Sequence, residues 1–206
     1  MANFEELLDR LKEEYPIPNT RGRPFERICI WWLKTDPTYA HTFKGIWSWY
    51  DWPDRLNRGF KDETGIDLVA ETHTGILWAI QVKCYIDTQV PLKEVQGFLS
   101  LSGRKLFVTR VLISVGDLAE KAKVHVTDQE KPVKCLFKDD LNNSPVDWLD
   151  SFSFGSENIN NPIDFLNRGT SYAKSEEYEK ALVAYNKAIE LDPEYADAYV
   201  VLFTGY

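Results

Sequence analysis

The sequence predicts a three-layer α/β domain around a mixed sheet, followed by a small all-helical unit. Three observations carry that expectation. Helix-spaced and strand-spaced hydrophobic segments alternate through residues 1–150, Ser, Asn and Gly displace them near residues 150 to 164, and only helical spacings follow. The expected division is a domain at 1–150, a linker at 151–162 and a helical segment at 163–206.

The elements can be justified in order. Phe4, Leu7, Leu8 and Leu11 follow the i, i+3, i+4, i+7 pattern of an amphipathic helix. A second helix is expected from about Pro24 to Lys34, with Pro at its start and Asp36-Pro37 beyond its end. The aromatic segment FKGIWSWYDW then leads into a hairpin at residues 65–85, GIDLVAETHTGILWAIQVKCY. PLKEVQGFLSLSG reads as a helix stopped at Gly103, and LFVTRVLISVG as a buried strand. A short helix around Asp117 to Lys123, a strand around Val133 to Phe137 and a terminal segment near Trp148 complete the order α-α-β-β-β-α-β-α-β.

Composition bounds the function classes. A chain of 206 residues with 44% hydrophobic and 27% charged content can bury a sizeable core. No run approaches the ~18 apolar residues of a membrane span. The start, MANFEELLDRLKEEY, is acidic and amphipathic without signal-peptide features, so a cytoplasmic location is expected. Cys29, Cys84 and Cys135, like His41, His73 and His125, are too scattered for a zinc site, and the cysteines are expected to be reduced and partly buried. The net charge of −8 is uneven, about −3 over residues 1–150 and about −5 over 151–206, so it says little about a nucleic-acid partner.

The hairpin carries the candidate chemistry. Its turn, His73-Thr74-Gly75, is a three-residue loop with Gly where a left-handed conformation is required. That sets Thr72 opposite Ile76, so Asp67 lies across from Gln81. Alternation agrees: Ile66, Leu68 and Ala70 share an apolar face with Trp78, Ile80 and Val82, while Asp67 shares the other with Gln81 and Lys83. A solvated sheet face is the plain reading of such alternation. The chemical reading is a carboxylate and an amide oxygen, both hard ligands for Mg²⁺, beside an amine that can orient water or offset phosphate charge.

Asp67 followed by Gln81-Val82-Lys83 resembles the PD-(D/E)xK nuclease superfamily, and GIDLVAE…WAIQVKCY is similar to its Mrr-like branch, the type IV restriction endonuclease group, in which Gln replaces the middle acid. PFERICIWWL resembles the helix that gives that branch an extra glutamate, here Glu26. FLSLSGRKLF and EKPVKCLF are similar to the N-terminal nuclease domain of certain large predicted DNA helicases. Ile66 departs from the name motif, which has Pro. The resemblance covers roughly residues 20 to 150 and implies a restriction-endonuclease-like α/β/α fold around a Mg²⁺ or Mn²⁺ ion. It implies that Asp67 is the main metal ligand, that Gln81 and the Val82 carbonyl complete the protein's share, that Glu26 binds metal or water, and that Lys83 positions the attacking water.

Arg55, Arg58 and Lys61 precede Asp67, and Arg104 and Lys105 follow the third helix; phosphate contact and a solvated loop are equally open readings of the first group, and the solvated reading leads for the second. Trp31, Trp32, Trp47, Trp49 and Trp52 are expected in the core rather than stacked on bases.

After the linker, Phe165, Gly169 and Tyr172, then Ala181, Tyr185 and Ala188, then Asp192-Pro193, fall at the spacings of a tetratricopeptide repeat. A shift of ~34 residues aligns Phe165 with Tyr199 and Tyr172 with Tyr206, so a second repeat begins. One repeat cannot bury its own face, so the expectation is either a longer array or a half repeat capped by another surface.

The function expected is a metal-dependent endonuclease acting on double-stranded DNA in defence against foreign DNA. The repeat would contact a protein partner, and a homodimer or recruitment would serve double-strand cleavage. The alternative is a DNA-binding protein without catalysis, or a tetratricopeptide adaptor.

Overall fold

A computed structural model describes residues 2–60, 65–150, 162–174 and 176–191. Lys61, most of the expected linker and the start of the expected second repeat lie outside the described residues. The chain forms two compact units, Met1–Ile28 with Asp147–Tyr206, and Cys29–Val146.

The second unit is built on a five-stranded mixed sheet of order β1-β2-β3-β4-β5. Its strands are β1 (Phe43–Ser48), β2 (Leu68–Thr72), β3 (Leu77–Lys83), β4 (Phe107–Ser114) and β5 (Lys134–Leu136). The first three pair antiparallel and β3, β4 and β5 run parallel. Parallel neighbours need crossovers, and the helices α3 (Lys93–Ser102) and α4 (Glu120–Thr127) supply them.

The hairpin register is the one its turn chemistry demands. Leu68 pairs with Ile80 and Ala70 with Trp78. Gly75 takes the left-handed conformation at φ 80°, and the Thr72 N–H donates to the Ile76 carbonyl at 2.9 Å. One sheet face places Val69, Ala79 and Leu112 in a core with Phe98 of α3 and Ala122 of α4. The opposite face holds Leu68, Ala70, Ile80, Val111 and Ile113, all fully buried. The aromatic segment after β1 closes the first core, with Trp49, Trp52 and Phe60 in mutual ring contact.

Boundaries differ from the expected ones where long-range pairing intervenes. The fourth helix starts at Glu120 rather than Asp117, because a bridge between Val90 and Leu118 holds Asp117–Ala119 extended. A five-residue helix, α5 (Lys138–Asn142), follows β5; Asp140 caps it by accepting the Phe137 N–H at 2.8 Å.

Arg110 of β4 is 1% exposed. Its guanidinium donates to Ser102 Oγ, the Leu99 and Lys131 carbonyls and Gln129 Oε1, tying the end of α3 to the segment after α4. A guanidinium keeps its charge under such burial when its donors are used.

In the first unit, α1 (Phe4–Glu14) is capped by Asn3, which accepts the Glu6 N–H at 2.9 Å. Its Phe4 packs on Trp148 with ring centroids 4.7 Å apart. The helix α2 (Gly22–Thr35) contributes Phe25 to the same cluster and passes into the second unit. The paired helices α6 (Pro162–Lys174) and α7 (Tyr178–Leu191) bury Tyr172, Ala181 and Tyr185 between them. Gly169 permits this closeness, since a Cβ there would stand 2.4 Å from the Tyr185 ring.

The cysteines form no disulfide; Cys29 is buried and Cys84 and Cys135 are half-buried. Among the described residues no helix is long and apolar enough to cross a membrane.

Candidate functional site

Asp67 precedes β2, and its backbone N–H donates to the Ile80 carbonyl at 3.0 Å, the same residue that Leu68 faces, so the regular register ends at Leu68 and Asp67 stands one step out of it. The Asp67 carboxylate then reaches across the strand pair and accepts the Val82 N–H at 2.7 Å. Because N–H and C=O of one strand residue point to the same side, the Val82 carbonyl also faces the strand that carries Asp67.

Gln81 is 1% exposed. Its Nε2 donates to the carbonyls of Gly65 at 3.0 Å and Glu94 at 2.9 Å. Two carbonyl acceptors identify the nitrogen, so the oxygen must be the atom turned away from them. That Oε1 is buried and finds no hydrogen-bond donor among the described residues. A buried amide oxygen left unpaired costs roughly 1–3 kcal/mol, which marks it as a group kept for another partner.

Lys83 is half-buried at the end of β3, and its Nζ stands 3.6 Å from the Glu94 carboxylate of α3. Glu94 was not among the sequence candidates. Tyr85, just beyond β3, also meets this carboxylate: burial, the Glu94 charge and a hydrogen bond to it raise the Tyr85 hydroxyl above its usual pKa. The Asp67 carboxylate thus meets the Val82 N–H, and Gln81 and Lys83 both meet Glu94. Among the described residues no group of three His, Cys, Asp or Glu side chains forms a metal cluster.

Glu26 is half-buried on the part of α2 that belongs to the first unit, and its place at the metal rests on the sequence resemblance. The basic candidates gather on rings. Arg58 lies over Trp52, with its centre 5.7 Å from the ring, and pairs with Asp54 at 3.2 Å. Arg104 lies over Phe60 at 5.8 Å, and Arg55 lies over Tyr50 at 5.2 Å while donating to the Phe60 carbonyl. Lys105 is exposed. Phe107, which touches the Phe60 ring, neighbours Leu77 in the sheet, six residues before Lys83 on β3. At ~3.3 Å per residue the Arg104 end and the Lys83 end are about 20 Å apart. The loop carrying Arg55 and Arg58 leaves β1 beside Asp67, where the Trp49 N–H donates to the Asp67 carbonyl at 2.8 Å.

A restriction endonuclease family model of the Mrr catalytic type matches residues 34–159, and a tetratricopeptide repeat model matches residues 165–195. The chain belongs to the restriction endonuclease family. Its fold is restriction-endonuclease-like, with the mixed sheet described above and a C-terminal tetratricopeptide helical hairpin. Among solved structures, the chain is similar to the ATP-dependent Type ISP restriction-modification enzyme LlaBIII bound to DNA, with 26% identity, a TM-score of 0.55, 69% of this chain covered and 9% of that one. It also matches the DNA modification-dependent restriction endonuclease AspBHI at 19% identity and TM-score 0.42, covering 72% of this chain and 35% of that one. A third match is the MspJI restriction endonuclease in complex with a 27-mer oligonucleotide, at 13% identity and TM-score 0.44, covering 94% and 36%. The chain thus spans about a tenth to a third of the length of these enzymes. No curated protein matches it.

Proposed function

We propose that this restriction endonuclease family member hydrolyses DNA phosphodiester bonds at the Asp67, Gln81 and Lys83 cluster with a divalent cation, in defence against foreign DNA. The observation that carries the reading is the buried, unpartnered Gln81 Oε1 on the same strand pair as Asp67 and the same face as Lys83. A carboxylate, an amide oxygen and a backbone carbonyl form a hard-oxygen donor set of the kind Mg²⁺ or Mn²⁺ takes.

Asp67, Gln81 Oε1 and the Val82 carbonyl would hold the ion; a share for Glu26 rests on the sequence resemblance alone. The ion would supply Lewis-acid polarisation of the phosphoryl group and neutralise developing charge. Lys83 donates hydrogen bonds that orient the attacking water and the phosphate oxygens. Asp67 fixes the Val82 peptide while it serves the ion, and the Gly65 and Glu94 carbonyls hold Gln81 by its amide nitrogen. The enzyme LlaBIII, to which the chain is similar, is described bound to DNA, which supports a DNA substrate here. Arg55, Arg58, Lys61, Arg104 and Lys105 would hold phosphates of the bound DNA. The repeat would recruit a protein partner: its Tyr178, Leu182 and Val183 are exposed on α7. A homodimer or such a partner would bring the second cleavage centre.

The test is incubation of the purified chain with supercoiled plasmid and Mg²⁺, with chelator as control. Nicked and linear products are expected, and Lys83→Ala should slow their formation by about 10²-fold or more. Cleavage that persists in both Lys83→Ala and Asp67→Asn refutes the site, and metal-independent binding without cleavage selects the non-catalytic alternative.

A further inference from the structure

The first turn of α3 touches the polar residues of β3 twice, through two different groups of one residue. The backbone carbonyl of Glu94 accepts the Gln81 amide, and its carboxylate stands 3.6 Å from the Lys83 ammonium. Both side chains are partly withdrawn from water, Lys83 being 19% exposed and Glu94 31%. A lysine has four rotatable side-chain bonds, so an ammonium with no partner spreads over many positions. Burial leaves Lys83 few places to go, and the Glu94 charge selects one of them.

We infer that Glu94 is a positioning residue of this site, whose carboxylate holds the Lys83 ammonium beside Gln81 and Asp67 in the geometry that cleavage requires. The inference rests on the nuclease reading above. Its side-chain part can be separated from its backbone part, because Glu94→Gln keeps the size and the carbonyl that anchors Gln81 and removes only the charge. Glu94→Asp keeps the charge on a shorter stem, and so serves as the conservative rescue.

Two measurements on the full chain test it. In the first, without metal or DNA, lysines are acylated with the N-hydroxysuccinimide ester of acetic acid and quantified peptide by peptide. Labelling of Lys83 should rise about threefold in Glu94→Gln, stay near wild type in Glu94→Asp, and leave the exposed Lys105 unchanged in both. In the second, plasmid cleavage with Mg²⁺ should show kcat lowered about tenfold in Glu94→Gln with KM for DNA nearly unchanged, and most of the rate restored in Glu94→Asp. Loss of cleavage with unaltered Lys83 labelling overturns the inference, since Glu94 would then act by another route. Wild-type kcat in Glu94→Gln overturns it alone, whereas no cleavage by the wild-type chain overturns the nuclease reading and this inference with it.

Discussion

The Val82 amide donates to the Asp67 carboxylate at 2.7 Å, a side chain standing where a backbone carbonyl would continue the β2–β3 ladder. Asp67 therefore closes the hairpin and presents its carboxylate to the proposed ion at the same time. The two roles respond differently to substitution.

Asp67→Asn keeps an oxygen able to accept the Val82 N–H, whereas Asp67→Ala leaves that amide without its carboxylate partner. The alanine variant should lose about 1–2 kcal/mol, lowering Tm by roughly 2–8 °C for a chain of this size. The asparagine variant should melt close to wild type. Both should lose Mn²⁺ binding in calorimetric titration, because only a carboxylate brings negative charge to the site. Equal melting of the two variants would show that the Val82 contact contributes nothing to folding.

Gly65 holds the other side of Gln81. Its φ of 75° lies in the left-handed region, and a Cβ there would stand 2.8 Å from the Phe98 backbone nitrogen. Gly65→Ala must therefore shift the segment whose carbonyl anchors Gln81 Nε2. A loss of about 1–3 kcal/mol is expected from the backbone strain, together with weakened Mn²⁺ binding, since Gln81 would lose one of the two carbonyls that fix its amide. Calorimetric titration at a temperature well below the melt separates the two effects; unaltered Mn²⁺ affinity in a destabilised protein would sever the link between Gly65 and the site.

The hairpin was legible because its information is local. A three-residue turn ending in Gly admits one register, and alternation assigns the same faces independently, so Asp67, Gln81 and Lys83 could be grouped before any coordinates. What local pattern could not carry is the surroundings of Gln81. Its burial and its orphaned oxygen depend on carbonyls of Gly65 and Glu94, which tertiary packing delivers, and the Glu94 contact requires α3 to dock beside the end of β3. The start of α4 moved for the same reason, through the Val90 bridge to Leu118. The arginines were visible as charges, but which end of the sheet they occupy follows from ring packing around Phe107.

Arg58 and Arg104 stand on adjacent rings, Trp52 and Phe60, whose centroids are 6.0 Å apart. If they grip phosphates, replacing both with Gln should weaken duplex binding and reduce the slope of log K against log salt by about 1.8, two released counterions at ~0.9 each. Cleavage at saturating DNA should remain near wild type, because these side chains lie towards the far end of the sheet from Lys83. Fluorescence anisotropy over a salt series checks the slope. An unchanged slope assigns the two arginines to covering their rings.

Directly after α2 stands an acid whose effect on stability depends on pH. Asp36 is 3% exposed. The Ser144 hydroxyl donates to its carboxylate, Trp32 Nε1 donates to Ser144 Oγ at 2.8 Å, and the Thr38 N–H donates to Asp36 Oδ1 at 2.8 Å. Burial raises the Asp36 pKa, but the hydrogen bonds from Ser144, Thr38 and Trp32 outweigh it and leave the carboxyl below its usual value. A pKa lower in the folded chain means that the unfolded chain binds the proton more readily, so acid favours unfolding. The stabilisation is complete above the ordinary carboxylate range and fades as pH falls below about 4 toward the depressed value. Asp36→Asn should therefore be less stable than wild type by about 1–2 kcal/mol at pH 7, with the gap constant down to about pH 5 and narrowing below pH 4. Melting curves of both proteins across that range give the gap directly. A difference that stays constant to pH 3 would remove the ionised carboxylate from the account and leave only its shape and hydrogen bonds.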